Sequence, residues 1–100
     1  MEINVTENAS RQLENLYHRN SKSNKKFRIM VSGIGWRGPR FGIALDEQND
    51  NDITQSVDNL YFIIDKRLAN EFQAFNIDYS NFFLNRGFHI YTEDRRSSYC

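Results

Sequence analysis

Cysteine is nearly missing from this chain. Cys100 stands alone, which excludes an internal disulfide. Histidine is scarce too: His18 and His89 are the only two. With one Cys and no H-x-x-x-H or C-x-x-C pair, a zinc site has no ligand set to draw on. No Ser-His-Asp or Cys-His constellation can be argued, so the chain is not expected to be an enzyme. No apolar run approaches the ~18 residues that a membrane span needs, and no membrane association is expected. The opening Met1-Glu2-Ile3-Asn4 has neither a basic region nor an apolar stretch, so no secretory signal is expected and a cytoplasmic location is. Charge of one sign is also lacking: 13 Lys and Arg balance 13 Asp and Glu. A dedicated nucleic-acid binder rests on a basic excess, so nucleic acid is not expected as a partner.

What the chain has is enough apolar matter for one core. Val, Ile, Leu and Phe make up 26 of its 100 residues, with five Tyr and one Trp besides. That exceeds the level at which chains remain disordered, and the length fits one domain. We expect the domain over residues 1–92 and a tail over 93–100. The charges are unevenly placed: residues 1–40 carry a balance of +5 and residues 41–100 one of −5. If the halves fold together these charges intermix; otherwise they make a dipolar surface that steers a partner.

Alternation predicts a strand at Glu2-Ile3-Asn4-Val5. Thr6 then reads as an N-cap, with Glu7 favourably placed in the first turn. Ala9, Leu13, Leu16 and Tyr17 recur at helical spacing up to about Asn20. A polar loop follows. Phe27–Ser32 predicts a strand with Phe27, Ile29 and Val31 inward. Gly33–Arg40, rich in Gly and holding the only Pro, predicts a loop. Phe41–Asp46 predicts a strand with Phe41, Ile43 and Leu45 inward and a closely approached face at Gly42 and Ala44. Asp46–Asp52 reads as a solvated acidic turn. Thr54–Val57 and Leu60–Ile64 predict strands about a turn at Asp58-Asn59, the second buried on both faces. Asp65 is placed to cap a short helix with Leu68 and Phe72 inward. Phe75–Tyr79 and Gly87–Tyr91 complete the set, with His89 on an exposed side. About seven short strands, mostly consecutive, with an N-terminal helix and a second short helix, predict an α+β, β-rich domain with mixed or antiparallel sheets.

Several motifs need weighing. Gly33-Ile34-Gly35-Trp36-Arg37-Gly38 spells G-x-G-x-x-G after a strand. The dinucleotide motif needs a helix N-terminus next, to hold the pyrophosphate, and the period-two segment from Phe41 denies it. Trp36, Arg37 and Arg40 form a basic-aromatic patch with Lys25, Lys26, Phe27 and Arg28. Such a patch can hold phosphates and stack bases, but its plain reading is a solvated loop whose Trp packs on the core. Asp46, Glu47, Asp50 and Asp52 lack the central Gly and final Glu of an EF-hand loop. Asn4-Val5-Thr6 and Asn8-Ala9-Ser10 match the glycosylation acceptor, which has no use in a chain without a secretory signal.

The order of pieces resembles a known family. Ile3-x-Val5-Thr6-Glu7-x-Ala9, then Phe27-Arg28-Ile29-x-Val31, then Gly35-Trp36-x-Gly38-Pro39-x-Phe41-Gly42-x-Ala44-Leu45-Asp46-Glu47 look like the HesB/IscA-like iron–sulfur biogenesis domain. Asp52, Leu60–Asp65, Phe75-x-Ile77-Asp78-Tyr79 and Gly87-Phe88-x-Ile90 continue the match over nearly the whole chain. The resemblance implies two small mixed or antiparallel β-sheets with flanking helices, and a homodimer. It implies an A-type carrier that binds iron or an iron–sulfur cluster and hands it to apo-proteins, with iron–sulfur assembly proteins or apo-protein clients as its partners. Its members use three cysteines, because soft thiolates are the ligands such clusters need. Carried over, the loop cysteine falls at Trp36 and the tail pair at Ser98 and Cys100. Cys100 is then the one retained metal ligand, and Trp36 and Ser98 mark the other cofactor-binding positions. The function expected is an accessory or carrier in iron–sulfur cluster assembly, with cluster binding reduced or lost. The alternative is a cluster-free binding or regulatory module on the same fold, with Trp36, Arg37 and Arg40 as its contact surface. A small hydrolase or transferase using the acidic loop ranks last.

Overall fold

In a computed structural model, the alternation at the N-terminus becomes strand β1 (Glu2–Val5), with Ile3 buried. The structure describes residues 1–19, 24–36, 38–82 and 86–94. Helix α1 (Glu7–Arg19) starts where expected: the Ala9 N–H donates to Thr6 Oγ1 at 3.2 Å. This cap supplies one of the acceptors that the first helical turn lacks. Ala9 and Leu13 are fully buried and Leu16 partly. Tyr17, expected inward, is exposed, because the inward stripe has run past the core by the last turn.

Strands β2 (Lys26–Gly35), β3 (Gly38–Asp46), β4 (Asp52–Val57) and β5 (Leu60–Asp65) form a four-stranded sheet in the order β3-β2-β5-β4. β2 pairs antiparallel with β3 and parallel with β5, and β4 pairs antiparallel with β5. Asp65 caps the short α2 (Lys66–Glu71) by accepting from the Arg67 N–H at 2.9 Å. Strands β6 (Phe72–Ser80) and β7 (Gly87–Asp94) join β1 in a second sheet, order β1-β6-β7, with β1 parallel to β6. The result is the expected β-rich α+β domain of two small mixed sheets and two helices.

The core lies between the sheets and under α1. Phe27 and Phe62 meet at 5.9 Å between centroids. Phe41 of the larger sheet packs edge-on to Phe72 and Phe75 of the smaller one, at 5.4 and 5.6 Å, and the latter two meet at 5.5 Å. This trio ties the sheets together through area burial, with roughly 0.5–1.5 kcal/mol more from each well-oriented ring pair.

Four expectations need correction here. Gly33–Arg40 is not a loop: β2 runs on to Gly35 and β3 starts at Gly38. Glycine weakens a strand but does not forbid it when a partner supplies the ladder. Leu60–Ile64 is not buried on both faces throughout, since Tyr61 points to solvent. Phe72 is not on the helix but opens β6, having left helical geometry at φ −126°. His89 is half-buried rather than exposed, opposite Asp78 in the β6–β7 register. At the C-terminal end, β7 takes in Glu93, opposite Ala74, and ends at Asp94.

Candidate functional site

The β2–β3 hairpin holds the position that the family resemblance singles out. Along β2 the core-facing residues Phe27 and Ile29 are opposed by Leu45 and Ile43 on β3. A shift in register between Val31 and Gly33 leaves Ser32 without a partner residue. Such a bulge inserts one residue and re-phases everything beyond it. Opposed residues share a face, so the shift puts Ile34, opposite Pro39, on the same face as Val31, opposite Phe41. The core face therefore continues outward along the hairpin. The body of the protein does not follow it: Val31 is 46% exposed, Ile34 is 87% exposed and Trp36, at the turn, is fully exposed. Strand alternation places Val31 inward, and the plain reading of the sequence packs Trp36 on the core. Both lie beyond the last of the described elements able to cover them.

Glycine shapes the end of this arm. Gly35 pairs with Gly38 across the turn, and Gly38 has φ +110°, a conformation that side chains with a Cβ rarely adopt. On the opposite face a Cβ at Gly35 would lie 2.7 Å from Arg40 Nε. The Arg40 side chain thus lies along the hairpin toward the tip, over the space that Gly35 leaves open. The G-x-G-x-x-G run serves a hairpin end, and strand β3 follows it in place of a helix.

At the base of the hairpin stands a polar cluster that sequence reading missed. Arg28 donates to both oxygens of Asp52, at 2.7 and 2.6 Å, to Asp46 at 2.6 Å and to the Glu47 carbonyl at 3.1 Å. Asp52 also accepts from the Asn49 N–H at 2.9 Å. The Asp52 side chain is 1% exposed and that of Arg28 13%. The acidic stretch is thus not a wholly solvated turn: its last carboxylate is buried and ion-paired. The Arg28 guanidinium, by hydrogen bonding, holds the carboxyls of Asp52 and Asp46 below the usual carboxylate range. Arg28 in turn is held still more firmly protonated by Asp52. The alternation placed Arg28 on the outward face, and only the β2–β3 register shows that Asp46 reaches it. A second carboxylate, Asp78, accepts from the Thr6 hydroxyl at 2.7 Å and from the Tyr79 N–H at 2.8 Å, and these bonds lower its pKa.

Of the residues expected to form a cofactor site, Trp36 is placed and Ser98 and Cys100 lie outside the described residues, as does Arg37. Among the described residues no three His, Cys, Asp or Glu side chains gather as a metal-binding group. An indole offers no lone pair to iron, so position 36 does not fit the role of a ligand to a cluster. No helix among the described residues is long and apolar enough to cross a membrane.

No family model matches the sequence, and no curated protein does. Solved structures do match. IscA, in a crystal structure with a [2Fe-2S] cluster, superposes with a TM-score of 0.67 at 22% identity, over 90% of this chain and 81% of that one. The chain has the IscA/SufA fold. A solution structure of an Aquifex aeolicus protein gives a TM-score of 0.68 at 23% identity, over 89% of each chain. Escherichia coli SufA, described as involved in biosynthesis of iron–sulfur clusters, gives 0.67 at 18% identity over 92% of this chain and 86% of that one. The resemblance carried by the ordered motifs thus extends to three dimensions. On the IscA/SufA fold as this chain builds it, the hairpin end presents an indole, a branched aliphatic and a guanidinium.

Proposed function

We propose that the protein is an accessory in iron–sulfur cluster assembly that works by binding other proteins, with its own capacity for cluster much reduced. The observation that carries the reading is the fold shared with IscA and SufA over nine-tenths of the chain, combined with an exposed Trp36 at the hairpin end. The cluster is the cargo of such a system. Clusters take about four thiolates, and one thiol per chain offers two in a homodimer. Cys100 is the residue we assign to any residual iron contact, with Ser98, two positions earlier in the sequence, as a poor oxygen donor. In this reading the protein is not an enzyme, its partners are assembly proteins or apo-protein clients, and it works in the cytoplasm.

The test is transfer in a defined system. A SufA-type carrier loaded with cluster is mixed with an apo-ferredoxin, and holo-ferredoxin formation is followed by visible absorption. This protein at equimolar level is expected to change the transfer rate several-fold, and an unchanged rate overturns the proposal. Iron and acid-labile sulfide assayed after anaerobic purification are expected well below one cluster per dimer. Brown protein that bleaches in Cys100→Ser would make it a carrier in its own right. A second reading, a cluster-free regulatory module serving other proteins, draws on the same exposure of Trp36. It predicts partner binding but no effect on cluster transfer.

A further inference from the structure

We propose that the outer half of the β2–β3 hairpin is a docking arm for an acidic protein segment bearing apolar side chains, with Trp36, Ile34 and Val31 as anchors and Arg40 as the selecting charge. The inference does not depend on cluster chemistry and holds whether or not iron is ever bound. Its first support is the uncovered face. The bulge at Ser32 keeps the core-facing stripe in phase out to Ile34 and Pro39, where no element among the described residues covers it. Apolar side chains aligned on a paired, bulge-fixed hairpin form a preordered surface, so little conformational freedom is lost on binding. An aromatic flanked by aliphatic residues and an arginine is also the composition that dominates protein contact energies.

The second support is charge, which decides the occupant. From Lys25 to Leu45 the chain has no Asp or Glu at all. Toward the base of the hairpin the cations are engaged: Lys26 donates to Gln48 at 2.6 Å, and Arg28 is held by Asp46 and Asp52. At the tip Arg40 lies exposed along the arm, and no acid of the same hairpin end offsets it. The complementary segment therefore wraps the hairpin end, apolar toward Ile34 and Trp36 and acidic toward Arg40 on the other face. The chain's own final segment does not qualify, since it carries Arg95 and Arg96. A second copy also carries exposed carboxylates, at Glu47, Asp50 and Asp58, but offers them without an apolar segment of known fit to the arm, and sedimentation separates the two. Nucleic acid is disfavoured because the arm has few charges with which to release counterions.

Trp36 is the only tryptophan, so its fluorescence reports on the arm directly. The full chain is titrated with a glutamate–leucine copolymer, with polyglutamate, a lysine–leucine copolymer and oligo(dT) alongside. The expected result is a saturable blue shift with glutamate–leucine, weaker binding to polyglutamate and none to lysine–leucine. Ile34→Asn and Arg40→Glu each weaken the glutamate–leucine interaction about tenfold, as for an interface anchor. Both sites are exposed, and circular dichroism checks that each variant stays folded. The proposal is overturned by no shift with glutamate–leucine, by an equal response to lysine–leucine, or by unchanged affinity in both variants. It is overturned likewise by oligo(dT) binding as tightly, which makes the arm a nucleic-acid surface. A blue shift with rising protein concentration alone, accompanied by doubled mass in sedimentation, would give the arm to a second copy.

Discussion

Removing either partner of the Arg28–Asp52 pair should destabilise the fold more than any other polar substitution in the described residues. The pair is bidentate, and the two side chains are 13% and 1% exposed. In Arg28→Met, Asp52 keeps only the Asn49 N–H, leaving a buried carboxylate without its counter-charge. Breaking such a pair from one side costs about 3–5 kcal/mol. Asp52→Ala should cost somewhat less, about 3 kcal/mol, because Arg28 retains Asp46 and the Glu47 carbonyl. For a domain of this size, 3 kcal/mol lowers Tm by roughly 12–24 °C. The double variant Arg28→Met/Asp52→Leu should recover most of the loss, since an apolar replacement of a whole buried pair is often near neutral. Urea unfolding at pH 7 and scanning calorimetry read these values.

Acid gives the same cluster a second signature. The folded-state pKa values of Asp52 and Asp46 are depressed. Their contribution is therefore present in full above the unfolded carboxylate value near pH ~4 and is lost as pH falls through the folded value. The penalty of Arg28→Met should shrink over that range, because the stranded Asp52 can then take up a proton. A penalty below about 1 kcal/mol at pH 7, or one that does not change on acidification, would refute the reasoning.

Three further outcomes are expected. Phe75→Ala removes a fully buried ring from the trio joining the sheets and should cost about 4 kcal/mol in urea unfolding. Thr6→Val removes the helix cap and the donor to Asp78 together. It should cost about 1–2 kcal/mol and move the Asp78 carboxyl up toward its ordinary pKa in an NMR titration. Gly38→Ala places a Cβ at φ +110° and should cost about 1–2 kcal/mol in thermal unfolding, with little change in the core resonances.

The parts legible in the sequence were those governed by local rules. Thr6 capping a helix whose Ala9 and Leu13 face inward follows from spacing and side-chain chemistry alone. So does Asp65 as the cap of α2. The hairpin end is not legible in the sequence because Gly33, Gly35, Gly38 and Pro39 are breakers by propensity, whereas pairing across the strands is a tertiary effect that overrides it. Asp52 is hidden for a related reason. Four acids in a polar stretch look alike until the β2–β3 and β4–β5 registers bring Asp46 and Asp52 to the same guanidinium. Hydrophobicity alone places Trp36 in the core, although an aromatic at a hairpin turn can bury its ring only if something lies opposite.

That last point bears on what the arm is for. Burial along β2 ends near Ile29, and a turn just beyond would have closed the hairpin there. The chain instead extends both strands by several residues. Ordering each residue costs roughly 1–2 kcal/mol in backbone entropy. In the isolated domain the return is ladder hydrogen bonds of about 1 kcal/mol each, with almost no apolar burial from Ile34 or Trp36. The extension is therefore near break-even or worse by itself, and its apolar residues on one face with Arg40 on the other make it an aggregation hazard if left bare. A partner that covers Trp36 and Ile34 supplies the missing burial. On this account truncating the arm should leave Tm nearly unchanged while abolishing the copolymer response. A large loss of stability on truncation would mean that the arm serves the fold instead.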